Sequence, residues 1–122
     1  MKILIVDDSK TILQTLRFAL EKLYYNDIEE AINGEEGIKI LKKEKIDMVI
    51  TDWNMPKVSG LDLLQLIKSE NKWKNIPVLM LTTEAEKEQI IKALKSGASN
   101  YIIKPFKIEQ LEKKIKDVLE KS

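Results

Sequence analysis

Three aspartates, a threonine and a lysine stand where short apolar runs of the chain come to an end. Asp7 and Asp8 follow Ile3-Leu4-Ile5-Val6, and Asp52 closes Asp47-Met48-Val49-Ile50-Thr51. Thr82 follows Pro77-Val78-Leu79-Met80-Leu81, and Lys104 follows Asn100-Tyr101-Ile102-Ile103. Singly, each has an ordinary reading: the aspartates as turn residues or caps, Thr82 as a helix cap, Lys104 as a solvated loop lysine. Gathered in one place they would have chemistry. Three carboxylates about 5 Å apart repel by roughly 3 kcal/mol per pair at an effective dielectric near 20. A domain has only about 5–15 kcal/mol of net stability to oppose that. Lys104 offsets part of the repulsion, and a divalent cation offsets more. Hard oxygen ligands, few in number, suit Mg²⁺ that keeps several waters. A phosphoryl group would complete such a site. The chemistry is then attack by a carboxylate on phosphorus. Asp52 is the candidate nucleophile, Asp7 and Asp8 hold the metal, and Lys104 and Thr82 stabilise charge on the transferred group.

The elements that must position these residues are legible in the apolar pattern. Ile3 to Val6 is a continuous apolar run, as in a strand buried on both faces. Ser9 is a plausible N-cap, and Ile12, Leu13, Leu16, Leu20 and Leu23 then share one helical face. Asp27 to Ala31 predicts a weak second strand, ended by the turn pair Asn33-Gly34. Glu35 to Glu44 predicts a helix with Ile38 and Leu41 inward. Asp47 to Asp52 predicts a third strand, closed by the Asn54-Met55-Pro56 turn, and Gly60 to about Glu70 a third helix. Pro77 to Leu81 predicts strand four, ended by Thr82-Thr83. Ala85 to Ser96 predicts helix four, with Gly97 at C′. Asn100 to Ile103 predicts strand five, broken by Lys104-Pro105, and Ile108, Leu111, Ile115, Val118 and Leu119 stripe a last helix. The alternation implies an α/β fold, a flavodoxin-like doubly wound sheet of five parallel strands, (βα)5, with helices on both faces. Ligands of such sheets bind outside the carboxyl ends of the strands, where strand order reverses. That rule sends Asp7, Asp8, Asp52, Thr82 and Lys104 to one edge, whereas chance would scatter them between both ends.

Composition narrows the classes. The 122 residues fit one domain, 1–122, without a linker or repeat. No run of about 18 apolar residues offers a membrane span. The apolar amino-terminal stretch, Ile3 to Val6, is too short for a signal peptide, so a cytoplasmic location is expected. The absence of cysteine removes disulfides and thiolate chemistry. The absence of histidine excludes Ser-His-Asp catalysis, histidine-ligated zinc and a phosphohistidine donor. A net charge of +1, with the lysines scattered, gives no field for nucleic acid.

Asp7-Asp8, Asp52-Trp53-Asn54-Met55-Pro56, Thr82-Thr83-Glu84 and Lys104-Pro105 together resemble the receiver domain of bacterial and archaeal response regulators. The likeness covers the whole chain, in order and spacing. It implies that Asp52 is the phosphorylated aspartate, that Asp8 and Asp52 bind Mg²⁺ directly, and that Asp7 does so through water. It implies that the Asn54 backbone carbonyl completes the metal site and that Lys104 pairs with the phosphoryl oxygens. Thr82 and Tyr101 match the family's switch pair, the hydroxyl swinging toward the phosphoryl group as the ring turns inward. Partial burial with a bonded hydroxyl is the ordinary alternative for such a tyrosine. Trp53 and Trp73 are expected to be partly exposed.

Within the family, the single-domain chemotaxis regulators are most alike, on the Asp52-to-Pro56 string, Glu84, Tyr101 and the lack of an output domain. That likeness implies a monomer phosphorylated by a chemotaxis-type histidine kinase. Its partner would be a flagellar motor switch protein, bound through helix four, strand five and helix five, here Ala85 to Ser96, Tyr101 and Lys107 to Leu119. A phosphorelay intermediate, exchanging phosphate with a phosphotransfer histidine, is the alternative. It would not be an enzyme beyond its own phosphorylation and dephosphorylation.

Three other readings fit less well. A haloacid-dehalogenase-like enzyme needs a second Asp two residues after the nucleophile, where Ser9 stands. A flavodoxin-like FMN binder needs a phosphate loop rich in Ser, Thr and Gly where this chain has acids. A degenerate receiver would have lost Asp52 or Lys104. The loop G-x-x-x-x-G-K-[ST] is absent, which argues against ATP as the donor.

Overall fold

A computed structural model describes residues 1–83 and 87–121. The strands are β1 (Lys2–Val6), β2 (Asp27–Ala31), β3 (Met48–Asp52), β4 (Val78–Thr83) and β5 (Asn100–Lys104). The helices are α1 (Lys10–Lys22), α2 (Gly34–Lys43), α3 (Gly60–Ser69), α4 (Lys87–Lys95) and α5 (Ile108–Lys121). The strands form one parallel sheet in the order β2-β1-β3-β4-β5, so strand order reverses between β1 and β3. The doubly wound (βα)5 arrangement is therefore the observed fold.

Side chains of a strand alternate between faces, and the core divides accordingly. Leu4, Val6, Val49 and Met80 pack with Leu41, Leu63, Leu64, Ile67 and Ala93 of α2, α3 and α4. Ile3, Ile5, Ile50, Leu79, Leu81 and Ile102 pack with Leu13, Leu16 and Leu20 of α1 and Leu111, Ile115 and Val118 of α5. Burial on both faces is why β1 and β3 are apolar without alternation. Only the strand ends can then carry charge cheaply, and the acids are found there.

Local signals start and stop the helices. The Ser9 side chain accepts the Ile12 N–H at 3.3 Å, and Asn33 accepts that of Glu36 at 2.8 Å. Ser59 and Asp62 exchange hydrogen bonds in a capping box at the start of α3. Gly97 has φ +106°, and the Ala98 N–H donates to Ala93 O at 3.0 Å, the C′ closure expected from sequence.

Several boundaries differ from the sequence pattern. Thr82, Thr83 and Lys104 lie inside strands rather than after them, because Thr82 pairs with Ile103 and Thr83 with Lys104 in the ladder. Glu84 and Ala85 lie outside the described residues, and α4 is described from Lys87. Leu119, expected inward, stands at the rim, 36% exposed. Trp53 and Trp73, expected partly exposed, are only 8% and 7% exposed, because both pack into the cluster beneath α3.

Gly60 fixes the turn after β3. A Cβ there would lie 2.0 Å from the Asp52 carbonyl oxygen and 2.9 Å from Trp53 Cα. Both are backbone atoms, which cannot yield as a flexible side chain can. Gly60→Ala is therefore expected to destabilise the fold by about 2–3 kcal/mol in urea unfolding. A loss below about 0.5 kcal/mol would show that the turn accommodates a side chain.

Candidate active site

Val6 pairs with Thr51 across the β1–β3 ladder, so the next residues, Asp7 and Asp52, emerge side by side. Asp7, Asp8 and Asp52 each offer a carboxylate oxygen, all within 4.8 Å of one another. Asp8 is exposed, whereas Asp7 and Asp52 are buried, 1% and 5% exposed. Lys104 reaches in from β5, across β4. Its Nζ donates to Asp52 Oδ1 at 3.0 Å and Asp7 Oδ2 at 3.3 Å. Neighbouring strands lie about 4.8 Å apart, so only a long side chain spans that gap. The second oxygen of Asp7 accepts the Ser9 N–H at 2.9 Å. Ser9 thus starts α1 and also aims a carboxylate.

Burial decides the electrostatics. It pushes both the Asp7 and Asp52 carboxyls above their ordinary range, because desolvation disfavours the anion. The Ser9 N–H and the Lys104 ammonium oppose the rise at Asp7, and Lys104 opposes it at Asp52. The Asp7 charge adds to the rise at Asp52. Burial would lower the Lys104 pKa, but the hydrogen bond and charge of Asp52, with those of Asp7, outweigh it and raise it. One ammonium facing three carboxylates leaves two negative charges when all are ionised. A divalent cation matches that residue, and the all-oxygen donor set fits Mg²⁺.

The remaining predicted residues surround this cluster. Thr82 is buried at the end of β4, one residue beyond Leu81, which pairs with Asp52, and its hydroxyl donates to the Thr83 carbonyl at 3.4 Å. Tyr101 pairs with Met80 in the ladder, and alternation puts it on the same face as Thr82. Tyr101 is half-buried against the α2–α4 core cluster. Asn54 is exposed in the turn after Asp52, between buried Trp53 and Met55, which anchor that turn. Gly60, which abuts the Asp52 backbone, was not singled out from sequence as a site residue. Its signal was the box Ser59-x-x-Asp62, which makes it the first helical residue.

The family profile described as "Response regulator receiver domain" matches residues 3–116. The chain belongs to that family. Among its relatives, a "Chemotaxis protein CheY homolog" of Campylobacter jejuni is 43% identical over 98% of this chain and 92% of its own length. "Chemotaxis protein CheY-3" of Vibrio cholerae is 44% identical over 99% of this chain and 93% of its own length. Among solved structures, Vibrio cholerae chemotaxis protein CheY4 superposes with TM-score 0.88 at 34% identity, covering 96% of this chain and 97% of that one. The receiver fold is thus shared with these relatives, and in this chain its acid-rich edge pairs Lys104 with two buried acids.

The pH response follows from the two raised carboxyls. Between the unfolded value of 3.8 and their higher folded values, the folded state binds more protons than the unfolded state. Stability from these groups is therefore greatest on the acid side of that window and is lost as pH rises through the folded values. In metal-free buffer, Asp52→Asn should flatten this part of the stability profile and unfold at higher denaturant than the parent at pH 7. Chemical denaturation across pH measures both. Parallel profiles for parent and variant would contradict the assignment.

Proposed function

We propose that this chain is a stand-alone chemotaxis response regulator in which Asp52 accepts a phosphoryl group. The observation that carries the reading is the Asp52 carboxylate, buried yet held by the Lys104 ammonium at 3.0 Å, with two further acids within 4.8 Å. In the reaction, an Asp52 carboxylate oxygen forms a bond to phosphorus as the donor's bond to phosphorus breaks. The electron pair leaves with the donor, the imidazole nitrogen of a histidine kinase, and an acyl phosphate remains on Asp52. Lys104 would pair with the incoming phosphoryl oxygens, and Thr82 would donate its hydroxyl to them. Asp8, Asp52 and the Asn54 backbone carbonyl would hold Mg²⁺, with Asp7 reaching it through water. Bound there, Mg²⁺ supplies the charge neutralisation that lets an anionic nucleophile meet an anionic phosphoryl group. The chemistry is confined to the protein's own phosphorylation and dephosphorylation.

Thr82 and Tyr101 form the proposed switch. Movement of the Thr82 hydroxyl toward the phosphoryl group opens room for the Tyr101 ring, changing the surface of α4, β5 and α5. A flagellar motor switch protein is the proposed reader of that surface, and a chemotaxis-type kinase the writer, both in the cytoplasm. No helix among the described residues is long and apolar enough to cross a membrane. The named chemotaxis relatives, matched over 92–93% of their own lengths, favour this reading over a phosphorelay intermediate.

Incubation with acetyl phosphate and Mg²⁺ is expected to add one phosphoryl mass in intact-protein mass spectrometry, and Asp52→Asn is expected to add none. Labelling that persists in Asp52→Asn would move the nucleophile elsewhere. A pull-down with phosphorylated protein should then capture a motor switch component. Capture of a histidine phosphotransfer protein instead would favour the relay.

A further inference from the structure

Tyr101 carries a cation on its ring. Lys114, on α5, places its Nζ 4.2 Å from the ring centroid. The same Nζ donates to Asn100 Oδ1 at 3.2 Å. That oxygen also accepts the Tyr101 backbone N–H, at 2.8 Å. The ammonium is therefore held at two points, and one of them is bonded to the backbone of the residue whose ring it covers. Neither partner is a carboxylate. Both Tyr101 and Lys114 are half-buried, so the cation is partly withdrawn from water where it meets the ring. A cleft of about 310 Å³ lies alongside, lined by Tyr101, Lys114, Gln110, Pro105 and neighbouring residues of β5. The ring thus has packing and a cation in its present position and open space beside it.

We propose that Lys114 is a positioning residue of the switch, holding Tyr101 in the position seen here and so setting its resting population. The inference rests on the reading of Tyr101 as the switch aromatic. A ring that rotates away gives up its contact with the ammonium, so the contact favours one position over the other. An interaction biases a two-state equilibrium only by the difference it makes between the states. A cation over a partly exposed ring is worth a factor of about two to five in that equilibrium. Lys114→Met keeps the aliphatic stem and removes the charge, whereas Lys114→Arg keeps a cation able to sit over the ring.

The test is the Tyr101 χ1 rotamer population, read from three-bond couplings in NMR, which report geometry rather than local charge. It is measured for the parent, Lys114→Met and Lys114→Arg, each with and without acetyl phosphate and Mg²⁺. In the unphosphorylated protein, Lys114→Met should move the population about two- to fivefold toward that of the phosphorylated parent. Lys114→Arg should stay near the parent. Equal unphosphorylated populations in parent and Lys114→Met, with a normal response to phosphorylation, would overturn the role of Lys114 and leave the switch intact. A parent population that does not change on phosphorylation would overturn the switch reading itself, and this inference with it.

Discussion

The ammonium of Lys104, shared between two buried carboxylates, is the contact on which this site depends. Asp7 and Asp52 sit together where water is excluded, and each alone would favour its neutral form. Removing Lys104, the one cation of this buried arrangement, would typically cost about 3–5 kcal/mol, because the carboxylate charge is left uncompensated. Yet the compensation is incomplete, since one positive charge faces three acids. The site is stable enough to fold and still short of positive charge. On the proposed function, a divalent cation would fill that deficit, and the Asp52 carboxylate beside it would be the nucleophile.

The fold exists in large part to make that contact. Parallel strands pointing the same way bring the ends of β1, β3, β4 and β5 to one edge, and strand order reverses between β1 and β3, beside Asp7 and Asp52, where ligands of such sheets bind. The ladder sets Asp7 beside Asp52 without any side-chain adjustment. Gly60 lets α3 begin directly against the Asp52 backbone, and Trp53 and Met55 pin the intervening turn to the core. Asp52 is therefore held by backbone and packing, while its charge is balanced by one long, flexible side chain. Rigid placement with adjustable charge suits the proposed alternation of Asp52 between a free and a phosphorylated form.

Much of this was legible in the sequence because charge at the end of a buried strand is conspicuous. Asp7, Asp8 and Asp52 interrupt apolar runs, and the βα alternation dictates that they meet. The family motifs then fixed order and spacing. Other features depend on tertiary contacts that no local pattern encodes. That Lys104 belongs to β5 rather than to a loop follows from its pairing with Thr83. The burial of Trp53 and Trp73 follows from their packing into the core cluster shared by α2, α3 and α4, and aromatic residues beside turns carry no local sign of it. Gly60 reads as an ordinary first helical residue until its distance from the Asp52 carbonyl is known. Lys114 is one lysine among many on an amphipathic helix, and only the geometry distinguishes the one resting on Tyr101.

The charge deficit at the acid cluster is tested most directly by thermal unfolding at pH 7 as a function of Mg²⁺ concentration. Binding to the folded state alone stabilises by mass action, about 2.7 kcal/mol at a hundredfold excess over Kd. The melting temperature should therefore climb steadily with the logarithm of Mg²⁺ concentration, and the rise should vanish in the Asp8→Asn, Asp52→Asn double variant. A melting temperature unmoved by millimolar Mg²⁺, or a rise that survives in the double variant, would contradict a cation site at these acids.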